Sequence, residues 1–230
     1  MSPVNFHSLA PPKNIKLFRN LASSEIEHIL TAAKARRFSS NTIITHQAEP
    51  SDQFFLLWKG RARYFFETPS GKKLLLRLLT PGQAFGVAGM VPGPSNYLVS
   101  VESVQDSVAL VWSDMAIRDM ANRFPALLQN ALRITSDYLS WYVTAHAGLT
   151  SHTARERLAH VLLGWAEVVG RKLPPGIELD VTNEELASAA NISPYTASRV
   201  VSEWQEHGII RRKRGKIVLC SARGLFRNTK

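Results

Sequence analysis

The chain has 230 residues, 45% of them hydrophobic, and carries 28 lysines and arginines against 18 acidic residues, a formal net charge of +10. That length allows one large or two modest cores, and the cationic excess points to a polyanionic partner, either nucleic acid or an anionic membrane surface. No apolar run approaches a membrane span, the amino-terminal MSPVNFHSLAPPK lacks the apolar core of an export signal, and the single cysteine, Cys220, excludes an intrachain disulfide and a cluster on several of the chain's own thiolates; a cytoplasmic protein with no membrane partner is expected.

Residues 1–14 are proline-rich and polar and read as a loose arm. Ile15–Phe18, then Ser23–Ala35 with Ile26, Ile29 and Leu30 on one face and Ser23 ahead of Glu25, predict a short amphipathic entry helix. From Phe38 to Trp112 the period becomes that of strands: Thr42–Thr45, Phe54–Trp58, Ala62–Phe66, Leu74–Leu79, Tyr97–Val101 and Val108–Trp112, separated by Gly60, Pro69-Ser70-Gly71 and Pro81-Gly82. Many short strands with regular turns mean a β-barrel, roll or sandwich. Phe55, Trp58, Tyr64, Phe66 and Phe85 are candidates to line an apolar pocket, although alternating aromatics in such a fold also simply fill its core. Gly86 and Gly89 let the backbone approach a ligand or pack closely.

Ser113-Asp114 starts another helix, and Phe124-Pro125 opens a long one through Gly148. Leu128, Leu132, Thr135, Leu139, Tyr142, His146 and Leu149 alternate at spacings of four and three, the pattern of a coiled-coil seam, so a homodimer is expected. A helix over Ser151–Val169, a loop over Gly170–Gly176 containing Pro174-Pro175, and a short strand Ile177–Val181 follow. No histidine stands at a recognisable metal-ligand spacing, and no cofactor is expected.

The stretch Thr182–Leu219 is the most informative. Thr182 with Glu185 is a capping box, Asn191-Ile192 a credible tight turn, and Ser193-Pro194 a second helix start. The second helix, Pro194–His207, carries Ala197, Val200, Val201 and Trp204 on one face, leaving Pro194, Tyr195, Ser198, Arg199 and Ser202 on the other. Gly208 ends it, and Ile209–Arg212 and Lys216–Leu219 read as two strands around a cationic turn. This is a winged helix-turn-helix, whose second helix can lie in the major groove of double-stranded DNA. Tyr195, Ser198 and Arg199 are the candidate base contacts, because an arginine fork can bond guanine bidentately. Thr182, Ser193, Thr196, Ser202, Arg211, Arg212, Lys213, Arg214 and Lys216 are candidate phosphate contacts, which position without specifying.

The order of β-roll, long dimer helix and winged helix-turn-helix resembles the family of the cyclic-AMP receptor protein and the fumarate and nitrate reduction regulator over residues 15–225, most specifically in Phe54–Gly60 (FFLLWKG), Leu79–Gly86 (LTPGQAFG) and Glu185–Arg199 (ELASAANISPYTASR). The resemblance implies an α+β chain: a cyclic-nucleotide-binding-like β-roll sensor at 15–123, a dimerisation helix at 124–148 and a DNA-binding domain at 149–230. It implies a homodimeric transcription regulator that reads a palindromic site and works with RNA polymerase, not an enzyme, with Ser198 and Arg199 at positions that contact bases and Tyr195 where a glutamate is common.

The roll departs from the family's cyclic-AMP branch, in which a glutamate after Phe-Gly holds the ribose and an Arg-Ser pair holds the phosphate. Val87 and Asn96-Tyr97 stand there instead. A cyclic phosphate without a cationic anchor is poorly compensated for its lost hydration, so cyclic-nucleotide binding is not expected. The effector, if there is one, is not legible, and constitutive DNA binding is an equal expectation. A metal-dependent, cupin-like enzyme is the alternative, but only His46 among the histidines falls in the roll.

Overall fold

The computed structural model describes residues 10–12, 14–213 and 215–226. Most of the arm expected at 1–14 lies outside them. The chain groups into two compact units, one of Met1–Lys73 with Leu79–Trp141 and one of Leu74–Leu78 with Tyr142–Lys230.

The first unit begins with a 3-10 turn at Lys16–Phe18 and helix α1, Ser23–Thr31. The Glu25 carboxylate reaches back to the Ala22 N–H at 2.7 Å, so the helix is capped one residue earlier than Ser23 suggests. It also stops short of Ala35, because Lys34 and Ala35 are taken into strand β1 (Lys34–Phe38), opposite Val111 and Leu110. Then come β2 (Ile43–Thr45), β3 (Gln53–Lys59), β4 (Ala62–Glu67), β5 (Lys73–Leu79, of which Leu74–Leu78 group with the second unit), β6 (Ala84–Phe85), β7 (Ser100–Ser103) and β8 (Ser107–Ser113). They form two four-stranded sheets, ordered β1-β8-β3-β6 and β2-β7-β4-β5. The strand expected at Tyr97–Val101 starts only at Ser100, because Tyr97 pairs its backbone with Ala48 and Glu49 instead. Helix α2 (Asp114–Arg123), capped by Ser113, leads into α3 (Pro125–Ser151).

Strand β3 buries consecutive residues. Phe54, Leu56 and Trp58 pack with Leu110 and Trp112 against Ile29, Ile117, Leu127, Ala131 and Ile134 from the three helices, and the Trp112 indole N–H donates to the Ile29 carbonyl at 2.7 Å. Phe55 is equally buried and stacks on Phe85 at 4.7 Å, while Tyr64 meets Tyr138 edge-on at 6.0 Å. Of the five aromatics considered for a pocket, Phe55, Trp58, Tyr64 and Phe85 are buried and Phe66 is exposed.

Gly86 shows why glycines recur here. Its φ is +77°, and a Cβ would sit 2.7 Å from the Gln53 carbonyl oxygen. A Cβ on Gly89 would lie 3.2 Å from the Ser51 carbonyl oxygen. Close packing of the 3-10 turn Val87–Met90 on β3 therefore accounts for both.

The second unit holds α4 (Ala154–Val168), β9 (Arg171–Leu173), β10 (Gly176–Leu179), α5 (Asn183–Ala189), α6 (Pro194–Glu206), β11 (Ile210–Lys213) and β12 (Lys216–Leu219). Its sheet runs β11-β12-β10-β9. The segment expected to be a loop at Gly170–Gly176 contains β9, which pairs with β10 across Pro174-Pro175. Prolines are tolerated in the turn and β9 lies at a sheet edge, so the diproline masks a hairpin rather than preventing one. Helix α4 starts later than Ser151 because Thr153 and Glu156 form its capping box.

Gly86→Ala is expected to cost about 1–3 kcal/mol, read as a lower urea midpoint at unchanged m-value. Gly71, with a similar φ of +78° but open space around its Cβ, supplies the comparison. The alanine there should cost less, and equal losses would remove the contact with Gln53 from the explanation.

Candidate nucleic-acid interface

Local chemistry sets the two helices of the motif. The Thr182 hydroxyl accepts from the Glu185 N–H at 3.1 Å and the Glu185 carboxylate accepts from the Thr182 N–H at 2.9 Å, so α5 opens with both orphan donors met. After Ala190 the chain turns at Asn191, with φ of +50°, and the Ile192 N–H returns to the Ala187 carbonyl at 3.0 Å. Asparagine tolerates that left-handed conformation better than most residues. Ser193 then caps α6 by accepting from the Thr196 N–H at 3.0 Å, with Pro194 at the first helical position. Ala197, Val200, Val201 and Trp204 are buried, as their spacing predicts, together with Leu186 and Ala187 of α5 and Ala190 just after it. Gly208, at φ +67°, lets the chain leave the helix for β11.

Two arginines on α4 secure this arrangement, and the sequence did not single them out. Arg157 donates through Nε to the Ala190 carbonyl at 3.0 Å and through Nη2 to that of Asn191 at 3.4 Å, while Nη1 holds the His152 carbonyl at 3.0 Å. A guanidinium at the carboxyl end of α5 satisfies carbonyls that the helix leaves open and meets the negative end of its dipole. Arg155 pairs with Glu203 of α6 at 2.5 Å, and its guanidinium lies 5.6 Å from the centre of the Trp204 ring. The string Arg155-Glu156-Arg157 looks like an ordinary solvated turn until its partners are placed.

The opposite face of α6 is open. Tyr195 is 80% exposed, Arg199 is exposed and Ser198 half-buried. Among the described residues Arg199 has neither a hydrogen bond nor an ion pair. The three candidate base contacts therefore sit on one helix face, displayed by the burial of the other.

The candidate phosphate contacts fall into different groups. Thr182 and Ser193 are occupied as caps, and the Thr196 hydroxyl is hydrogen-bonded to that of Ser193 at 2.8 Å. Ser202 accepts a long 3.5 Å bond from Arg212, joining α6 to the wing. Arg211, Arg212 and Lys213 are exposed on β11, and Arg214 lies outside the described residues. Lys216 is bound to Glu178 of β10 at 2.8 Å, and Lys213 stands 3.8 Å from the same carboxylate. The hydrogen bond from Lys216, and then the charges of Lys216, Lys213 and Arg171, hold the Glu178 carboxyl below the usual range.

Along α3, Leu128, Leu132, Thr135, Leu139, His146 and Leu149 of the expected seam are placed as follows: the four leucines and His146 are exposed, Leu139 at 63%, and Thr135 bonds back to the Ala131 carbonyl at 3.0 Å. Tyr142 is half-buried, and desolvation raises its phenol pKa. The exposed apolar stripe passes instead through Val143, at 61%.

In the roll, the Tyr97 hydroxyl donates to the Gln53 carbonyl at 3.0 Å and accepts from its N–H at 3.2 Å; burial pushes its pKa up to about 12. Val87 packs partly buried against the first unit's core. Among the described residues no group of three or more His, Cys, Asp or Glu side chains is placed to hold a metal ion.

Two family models match this chain: a cyclic nucleotide-binding domain at residues 35–124 and a Crp-like helix-turn-helix domain at residues 156–227. The chain belongs to the Crp/Fnr family. It is a DNA-binding transcription regulator of that family. Relatives include the cyclic AMP receptor protein of Thermus thermophilus, 26% identical over 199 residues that cover 86% of this chain and 89% of the relative. Among solved structures, the c-di-GMP-responsive global regulator CLP of Xanthomonas campestris superposes with a TM-score of 0.75 at 19% identity, covering 86% of this chain and 99% of that one. A CooA mutant from Carboxydothermus hydrogenoformans gives 0.74 at 22% identity, with coverages of 94% and 96%. These two likenesses show that the chain shares the fold of those structures. Among the described residues no helix is long and apolar enough to cross a membrane.

Arg157→Ala is expected to lower stability by about 1–3 kcal/mol, because it leaves helix-end carbonyls without their charged donor. Denaturant unfolding measures the loss. Arg157→Lys should recover only part of it, since an ammonium cannot reproduce the fork.

Proposed function

We propose that the chain acts as a homodimer in the cytoplasm, inserts α6 of each protomer into successive major grooves, and reads a palindromic site with Arg199, Ser198 and Tyr195. The observation that carries this reading is Arg199, exposed and unpartnered among the described residues on a helix whose opposite face is buried. Two recognition helices about 34 Å apart match one turn of B-DNA. The exposed stripe Leu128, Leu132, Leu139 and Val143 supports α3 as the self-association surface, since so much apolar surface on one helix calls for a partner. The wing supplies phosphate contacts from Arg211 and Arg212, and RNA polymerase is the protein partner, as for a regulator rather than an enzyme.

The relatives' names speak of cyclic AMP and c-di-GMP. We infer that this roll does not bind a cyclic nucleotide through the usual anion anchor. Val87 and Asn96 offer no cation, and the Tyr97 hydroxyl is already committed to the Gln53 backbone.

Arg199→Ala should weaken binding to the preferred duplex by about 1–3 kcal/mol and leave random DNA almost unaffected, whereas Arg212→Ala should weaken both alike and reduce the salt slope by about one. Titrations of each variant against both duplexes separate these cases; an equal loss on both for Arg199→Ala removes it from base readout. Leu139→Glu places a charge in the seam and should shift sedimentation from dimer to monomer. A dimer that persists in Leu139→Glu at micromolar concentration would move the interface elsewhere.

A further inference from the structure

The second unit's sheet places three cations, Lys216, Lys213 and Arg171, around the Glu178 carboxylate, with Arg211 farther along the same face. Glu178 lies opposite Val218 on one side and Arg171 on the other, and Arg211 is the next partner of Val218. Directly opposed residues of antiparallel strands share a face, so Arg211, Glu178 and Arg171 form one row. Lys213 and Lys216, opposite each other and two positions along their strands, lie on that same face. The Glu178 side chain is only 12% exposed, whereas Lys213 and Lys216 are 63% and 40% exposed. The anion is thus sheltered beneath cations that reach into solvent.

We propose that Glu178 is a specificity-determining residue that stands in for a DNA phosphate, holding Lys213 and Lys216 in the free protein and so limiting how strongly the wing grips DNA of any sequence. The inference rests on the reading of the wing as a phosphate-binding element. A lysine that is free in solution gains from a phosphate by releasing the counterions condensed on DNA. A lysine already neutralised by a fixed carboxylate must exchange one anion for another or share itself between two that repel. Its net gain is smaller and its contribution to the salt dependence lower. Base contacts by α6 are unaffected by this exchange, so suppressing the sequence-independent term widens the gap between specific and random DNA. Arg211, on the same face with no ion pair among the described residues, is the unneutralised reference. The basic run Arg211–Lys216 therefore contributes less phosphate affinity than its charge count implies.

The test is binding of the full-length protein to a random-sequence duplex over a series of potassium chloride concentrations. Glu178→Gln should bind about tenfold tighter at low salt, with a log–log slope steeper by about one to two. Adding Lys216→Ala to that variant should take about one back from the slope, while Lys216→Ala alone changes it little. An unchanged or shallower slope in Glu178→Gln, alongside a shallower slope in Arg211→Ala, overturns the proposal and leaves the wing contact standing. If Arg211→Ala and Lys216→Ala both leave the slope unchanged in every background, the wing reading fails and the proposal with it. Should Glu178→Gln not fold, Lys213→Ala and Lys216→Ala in the otherwise native chain decide: losses well below that of Arg211→Ala support the proposal, and losses equal to it overturn it.

Discussion

The burial of one stripe of α6, centred on Trp204, is the constraint on which the proposed DNA-reading surface depends. Trp204 is fully buried with Ala197, Val200 and Val201, and this fixes the rotation of the helix about its axis. Once that face points inward, Tyr195, Ser198 and Arg199 point outward. The Trp204 indole N–H finds no hydrogen-bond acceptor among the described residues, which costs about 1–3 kcal/mol. Burying a tryptophan removes about 150–250 Å² from water and returns more than that at about 25 cal/mol per Å². Packing therefore outweighs the lost hydrogen bond, and Arg155, lying near the ring while paired with Glu203, ties the same face of α6 to α4.

Electrostatics divides the work between helix and wing. The net charge of +10 draws the chain to a polyanion without choosing a sequence. In the proposed reading, choice belongs to an uncommitted arginine on a fixed helix, and grip to a wing whose lysines pair with the Glu178 carboxylate. In the roll the same economy of partners takes another form: Tyr97 occupies itself with the Gln53 backbone, and the aromatics fill the interior.

Caps, turn and amphipathic stripe of the helix-turn-helix were legible because each is set by residues within a few positions: Thr182 with Glu185, Asn191, and Ser193 with Pro194. The same local rules failed where a distant strand decided the outcome. Lys34 and Ala35 continue a helical pattern yet pair with β8, and Arg171–Leu173 looks like a loop until β10 is laid beside it. Arg157 and Glu178 escaped notice for a related reason. Each is an ordinary surface charge in one dimension and acquires its role only from carbonyls or ammonium groups brought in by other elements. Along α3 the heptad rule marks leucines that are exposed, but it does not separate Tyr142, which is half-buried, from its exposed neighbour Val143, because one residue around a helix changes which way a side chain faces.

The central claim is that a fixed α6, used in pairs, selects DNA by sequence. Recovering bound fragments from a pool of random duplexes at moderate salt tests it most directly. The account predicts enrichment of an inverted repeat whose half-site centres lie about one helical turn, or about 10 base pairs, apart. Recovery of fragments with no common sequence, or of a single unpaired half-site, would contradict it.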